Sequence, residues 1–267
     1  MNSAIAYPLA DSATMLRRNL KRQLRYPSVT VMLIGLPLIL LLMFVYVFGG
    51  QLGARLPAAA VLPHGRSGYL DFVTPGILVM TVAYAALGTA LSIATDMTQG
   101  IVARFRTMSI SRGAVLTGHV LGTLLQALLG LIVLAGVAVA IGFRPPAGAV
   151  EWLAATGILL LFALALAWLS TALGLAAKSV EAASNTPMIL TLLPFLGSGF
   201  VPTGSLPTGL RQFAQYQPFT PVTDSVRNLL LGGPVADHAI AAVAWSLGIA
   251  IAAYLWSVRL YDRRPIR

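Results

Sequence analysis

The 267 residues are 57% hydrophobic and only 10% charged, with a formal net charge of +10 and no cysteine. A soluble domain carries about 25% charged residues, so a soluble enzyme or a disordered chain is excluded. The missing cysteine removes any disulfide, thiolate metal site or thiol nucleophile. At a mean hydropathy of +0.82, the basic charge fits loops facing anionic lipid better than it fits nucleic acid, and no nucleic-acid partner is expected.

Residues 1–28 form a basic N-terminal segment. Leu16, Leu20 and Leu24 recur every four residues, Arg17, Arg18, Lys21, Arg22 and Arg25 occupy the remaining faces, and Pro27 ends the run. The pattern predicts an amphipathic helix in the membrane interface with its cations on lipid phosphates. The alternative is a plain basic flank that orients the first span.

Six uncharged intervals of 21 to 31 residues follow, each long enough for the roughly 20 residues that cross a hydrocarbon core as helix. They place spans at about 29–49, 72–94, 115–142, 153–177, 187–202 and 239–258, within one membrane domain of residues 29–258, and leave a tail at 259–267. The first run is long enough to span and follows a basic stretch, so it does not read as a cleaved signal. The fifth contains Pro187, Pro194 and Pro202, which favours a kinked or partly re-entrant path. Membrane β-strands would be alternating segments of about 10 residues, which these continuous runs are not. The expected fold is all-α and integral to the membrane: six transmembrane helices, an N-terminal interfacial helix, and short re-entrant helices before the last span. With an even number of spans the termini share a side. The segments on that side hold 13 of the 18 Lys and Arg residues, so both termini are expected in the cytoplasm.

The second span opens on Phe72-Val73-Thr74-Pro75-Gly76, where Thr74 is expected to cap the helix and Pro75 to begin it. After it comes a short basic stretch, residues 95–112. Ile101, Phe105 and Met108 share one helical face there, flanked by Arg104 and Arg106. It reads either as a small helix offering an aromatic plug to a partner's groove or as an ordinary positive-inside loop. In the third span His119, Thr123 and Gln126 fall on one face, either toward a substrate pathway or as hydrogen-bonding glue between helices. Residues 201–238 are apolar yet rich in Pro and Gly. Within them Pro221 is expected to start, and Gly232 to stop, a short helix in which Asp224 and Arg227 pair at i, i+3. Such a helix is too short to span and suggests a re-entrant hairpin; the alternative is a surface loop with a local ion pair.

Catalytic chemistry is nearly absent. A phosphate-binding loop needs Gly before its Lys and a second Gly five residues upstream, but Lys178-Ser179 follows Ala177, and Ala172 occupies the earlier place. His64, His119 and His238 lack metal-ligand spacing. His119 is the one titratable residue well inside a span, so ion coupling would have to run through it.

Four stretches together resemble the ABC-2 type membrane permeases, in particular the daunorubicin-resistance-like drug exporters. They are the basic N-terminal helix, Tyr69-Leu70-Asp71-Phe72-Val73-Thr74-Pro75-Gly76, residues 100–112, and Pro218-Phe219-Thr220-Pro221-Val222 through Asp224, Arg227 and Leu229-Leu230-Leu231-Gly232. Their order covers nearly the whole chain. Ala103 and Ser109 stand where the family often has Glu and Pro, so an acid that would pair with the ATPase is missing.

The resemblance implies a transport subunit that is not itself an enzyme. It would sit in a bacterial cell membrane and partner a second copy of itself or a similar permease. Two copies of a separate cytoplasmic ABC ATPase would hold the ATP and Mg, with no cofactor on this chain. It further implies that Gly100, Ile101, Arg104, Phe105, Arg106, Met108 and Arg112 dock on the ATPase, and that Pro218, Pro221, Asp224 and Arg227 belong to an outer segment closing the exit. The implied cargo is hydrophobic or amphiphilic; a glycan exporter of the same family and an ion-coupled secondary transporter are the alternatives.

Overall fold

A computed structural model describes residues 27–54, 65–98, 112–177 and 179–263, together with residues 14, 16–18, 21 and 25, which are helical. The long helices are α1 (Pro27–Met43), α3 (Arg66–Thr98), α4 (Arg112–Ala140), α5 (Ala149–Ala176) and α10 (Ala236–Arg263). A π-helical stretch, Phe44–Phe48, joins α1 to the short α2 (Gly49–Gly53). No strand occurs among the described residues. Five helices there are long and apolar enough to cross a membrane, and the fold is that of an all-α integral membrane protein.

Helices α3 and α5 form the central pair. Helix α1 lies against α3, α10 against α5, and α4 packs on both. Lipid tails are as apolar as leucine, so association here depends on close packing and interhelical polar contacts rather than on escape from water. Small residues provide that closeness. A Cβ added at Gly174 of α5 would come within 2.8 Å of the Ala90 carbonyl oxygen on α3, and one at Gly130 of α4 within 2.8 Å of the Thr81 methyl. Aromatic side chains fill the wider gaps: Phe162 meets Phe219 edge to face at 4.9 Å, and Trp168 meets Tyr254 likewise at 4.9 Å. Large apolar residues cover the outer faces of α1 and α10, among them Val31, Met32, Ile39, Ile240 and Ile251, as expected for helices that border lipid.

Two helix starts differ from the sequence expectation. The second span begins at Arg66 rather than near Phe72, so Thr74 is not a cap. It lies inside the helix and its hydroxyl donates to the Leu70 carbonyl at 2.6 Å. Pro75 is then an interior proline, which lacks the N–H that the Asp71 carbonyl would have received. At 33 residues the helix is about 50 Å long, well beyond the hydrocarbon thickness.

The fifth interval, expected to be kinked or partly re-entrant, is built of short helices. Helix α6 (Val180–Asn185), helix α7 (Met188–Leu192) and a 3-10 turn (Leu193–Leu196) follow one another along α3, broken near Pro187 and Pro194. Ser179 caps α6 by accepting from the Ala182 N–H at 3.1 Å. In that first turn Glu181 is held below the usual carboxylate range by its own backbone N–H and then by the Ser179 hydroxyl.

The segment before the last span forms α8 (Thr208–Tyr216) and α9 (Phe219–Leu231). Helix α9 starts two residues ahead of Pro221, which sits in its first turn where a missing N–H is harmless. Gly232, at φ +79°, ends it, because only glycine adopts that conformation without strain.

Candidate functional site

Polar side chains collect at the two ends of α3. The first group lies where α3 begins. Arg227 of α9 pairs with Asp224 one turn earlier, Nη1 to Oδ1, at 2.6 Å. Its other donors reach beyond that helix: Nη2 donates to the Ser198 carbonyl at 2.7 Å, and Nε and Nη2 donate to the Phe72 carbonyl at 3.3 and 3.2 Å. The guanidinium also lies 4.2 Å over the Phe72 ring. Ser198 closes the loop by donating its hydroxyl to Asp224 at 2.6 Å. Arginine suits this position because its planar fork can serve several acceptors at fixed angles.

The stretch Gly197-Ser198-Gly199-Phe200 is held there by its glycines. A Cβ on Gly76 would fall 2.5 Å from the Gly199 carbonyl oxygen, and one on Gly197 would fall 2.6 Å from the Gln217 amide nitrogen and 2.8 Å from the Thr220 hydroxyl. Tyr69 donates to the Phe200 carbonyl at 3.3 Å. The Phe200 ring stacks on Phe195 at 4.6 Å and meets Phe44 of the π-helical stretch at 4.9 Å. Gln217, buried, donates to the Leu193 carbonyl at 3.0 Å. Three separate sequence stretches, 69–76, 197–200 and 217–227, thus form one clasp. Pro218 stands at the N-cap of α9, and Pro221 is buried.

The second group lies where α3 ends. Asp96, 2% exposed, pairs with Arg18 at 3.1 Å and with His119 Nε2 at 3.2 Å. Further along the same helix contact the hydroxyls of Thr89 and Thr123 are hydrogen-bonded to each other, and Gln126 is buried. His119, Thr123 and Gln126 therefore share a face, and that face is turned into the bundle, with His119 and Thr123 bonded to α3. Asp96 falls in the 95–112 stretch that the sequence places after the second span. The structure places it buried in the last turn of α3, and the one available signal was a lone acid at the end of an uncharged interval, eight residues ahead of the first basic residue, Arg104.

Arg17, Lys21 and Arg25 are exposed, whereas Arg18 is turned onto protein. Arg22, Gly100, Ile101, Arg104, Phe105, Arg106 and Met108 lie outside the described residues, and Arg112 is the first residue of α4.

The class defined by this architecture is an all-helical membrane protein with buried polar side chains that fasten helices together at both ends of α3. The ABC-2 type transporter family matches residues 12–231, and the chain belongs to that family. It is 28% identical, over 93% of its own length and 82% of the relative's, to the daunorubicin resistance ABC transporter permease protein DrrB1 of Streptomyces coeruleorubidus. It is 25% identical, over 65% of its length and 66% of the relative's, to a probable doxorubicin resistance ABC transporter permease protein DrrC of Mycobacterium tuberculosis.

Proposed function

We propose that this chain is the permease of an ATP-driven exporter that moves a hydrophobic or amphiphilic compound out of the cytoplasm or the inner leaflet. The observation that carries this reading is the similarity, along 93% of the chain, to a permease named for daunorubicin resistance. ATP and Mg belong to a separate cytoplasmic ABC ATPase present in two copies, and a second copy of this chain or a similar permease completes the path. The broken fifth interval, about residues 187–202, counts as the remaining crossing. The ends of α3 and α4 near Asp96 and His119 face the cytoplasm, in keeping with the excess of Lys and Arg on that side.

ATP binding would draw the two ATPase subunits together, and residues 96–112 would pass that motion to α3 and α4. Residues 203–236 would close the exit. Moving such an equilibrium from 1:99 to 99:1 takes about 5.5 kcal/mol of differential binding, so the docking contact must be firm. An apolar cargo suits spans with few polar groups, because His119 and Thr123 are already bonded to Asp96 and Thr89. A glycan would require polar partners along its path.

The test is reconstitution of the permease with its ATPase in liposomes, with native mass spectrometry of the same preparation. The expected result is two permease and two ATPase subunits, and anthracycline movement that needs ATP. Transport that ignores ATP depletion and collapses with a protonophore would overturn the reading in favour of an ion-coupled carrier.

A further inference from the structure

Asp96 is buried in the last turn of α3. A carboxylate in an apolar bundle is costly unless it is paired, and a single oxygen of Asp96, Oδ2, receives both Arg18 Nη2 at 3.1 Å and His119 Nε2 at 3.2 Å. These donors come from different elements. Arg18 belongs to the N-terminal basic segment, and His119 lies in the third turn of α4. One carboxylate oxygen therefore joins the N-terminal segment, α3 and α4.

The position in the chain gives this junction its meaning. Residues 99–111, the connection between α3 and α4, begin three residues after Asp96 and end eight before His119. Any force applied to that connection reaches the bundle through the two helix ends that Asp96 and His119 tie together. Arg18 adds the N-terminal segment to the same body, while Arg17, Lys21 and Arg25 remain exposed and free to meet lipid phosphate. A second contact between α3 and α4, Thr89 with Thr123, lies deeper in the bundle and does not involve the N-terminal segment. Holding the pair of helices together thus does not itself require Arg18.

We propose that Asp96 is a positioning residue that makes the N-terminal helix and the α3–α4 pair move as one unit, so that motion imposed at the α3–α4 connection also displaces the interfacial helix. This rests on the permease reading above.

The test uses the assembled permease–ATPase complex in liposomes, with Asp96→Asn, Asp96→Glu and Arg18→Gln, and reads assembly, basal hydrolysis, substrate-stimulated hydrolysis and transport of an anthracycline. The asparagine and glutamine variants are expected to keep assembly and basal hydrolysis and to lose stimulated hydrolysis and transport about tenfold, within the roughly 5- to 150-fold span of coupling free energies. Asp96→Glu, which keeps the charge, is expected to recover most of that loss. Transport by Asp96→Asn at the wild-type rate would overturn the proposal. If Asp96→Asn fails to assemble, Arg18→Gln decides, since Arg18 is one-third exposed and its loss leaves no core cavity: coupled transport there overturns the proposal and uncoupled hydrolysis supports it. Transport by the wild-type complex that needs no ATP would instead overturn the permease reading, and the proposal would fall with it.

Discussion

The Arg227 guanidinium donates to the Phe72 carbonyl at 3.2 Å and lies 4.2 Å over the Phe72 ring, so a single side chain fixes α9 to the early turns of α3. The contact sits one residue from the Asp71 carbonyl that Pro75 leaves without its helical donor. Two stretches that look like separate loop signals in the sequence are opposite halves of one clasp.

Arg227→Ala would leave Asp224 without its cation and take the guanidinium donors from the Ser198 and Phe72 carbonyls. Breaking a fully buried pair costs about 3–5 kcal/mol. Here the side chains retain 13% and 21% exposure, so a loss of about 2–3 kcal/mol is expected. Arg227→Lys keeps the charge but cannot serve Asp224, Ser198 and Phe72 together, and should recover only part of the loss. Thermal unfolding in detergent, read by fluorescence-detected size exclusion, measures both.

Gly76→Ala should destabilise by about 1–3 kcal/mol, because its Cβ would fall 2.5 Å from a backbone oxygen of Gly199 and neither side can yield by rotating a side chain. Gly248→Ala is the control. Nothing lies within 4 Å of its Cβ position in α10, and helix propensity favours alanine by up to about 1 kcal/mol. Opposite signs in the two melting shifts are the expected outcome.

Thr123→Val removes the hydrogen bond to Thr89. Interhelical hydrogen bonds in membranes average about 0.6 kcal/mol, so a small drop in melting temperature is expected, with unchanged discrimination among transported compounds. A change in substrate profile would place Thr123 on the pathway instead.

Arg104, Phe105 and Arg106 replaced together by alanine should abolish substrate-stimulated ATP hydrolysis while membrane insertion stays normal, if residues 96–112 dock on the ATPase. Hydrolysis assays on the co-purified complex, with insertion checked by membrane fractionation, give the answer. Normal stimulation would remove this segment from the docking contact.

The long helices were legible because the pattern that defines them is local. A run of more than twenty uncharged residues must be satisfied within itself in lipid, and a helix does that. The helix boundaries were less legible: Thr74-Pro75 signals a helix start, yet α3 extends six residues ahead of Phe72 to Arg66, since an interior proline is tolerated when neighbouring groups take up the freed backbone. The pairing of Asp224 with Arg227 was readable from its i, i+3 spacing. Their reach to Phe72, 155 residues away in sequence, was not, since spacing carries no information about which distant helix stands alongside.

By itself the sequence determined that this protein is helical, lies in a membrane and is strongly basic, and that its two lysines lie outside any phosphate-binding loop pattern. Each of these follows from composition or from patterns shorter than one helix. Only the tertiary structure decided that the pieces of the proline-broken fifth interval lie along α3. It also decided that the glycines at 76 and 199 bring two backbones together, and that Asp96 is a buried partner of Arg18 and His119. Those outcomes depend on which surfaces meet, and in lipid that is settled by close packing and the need to pair every buried polar group, both properties of the assembled bundle.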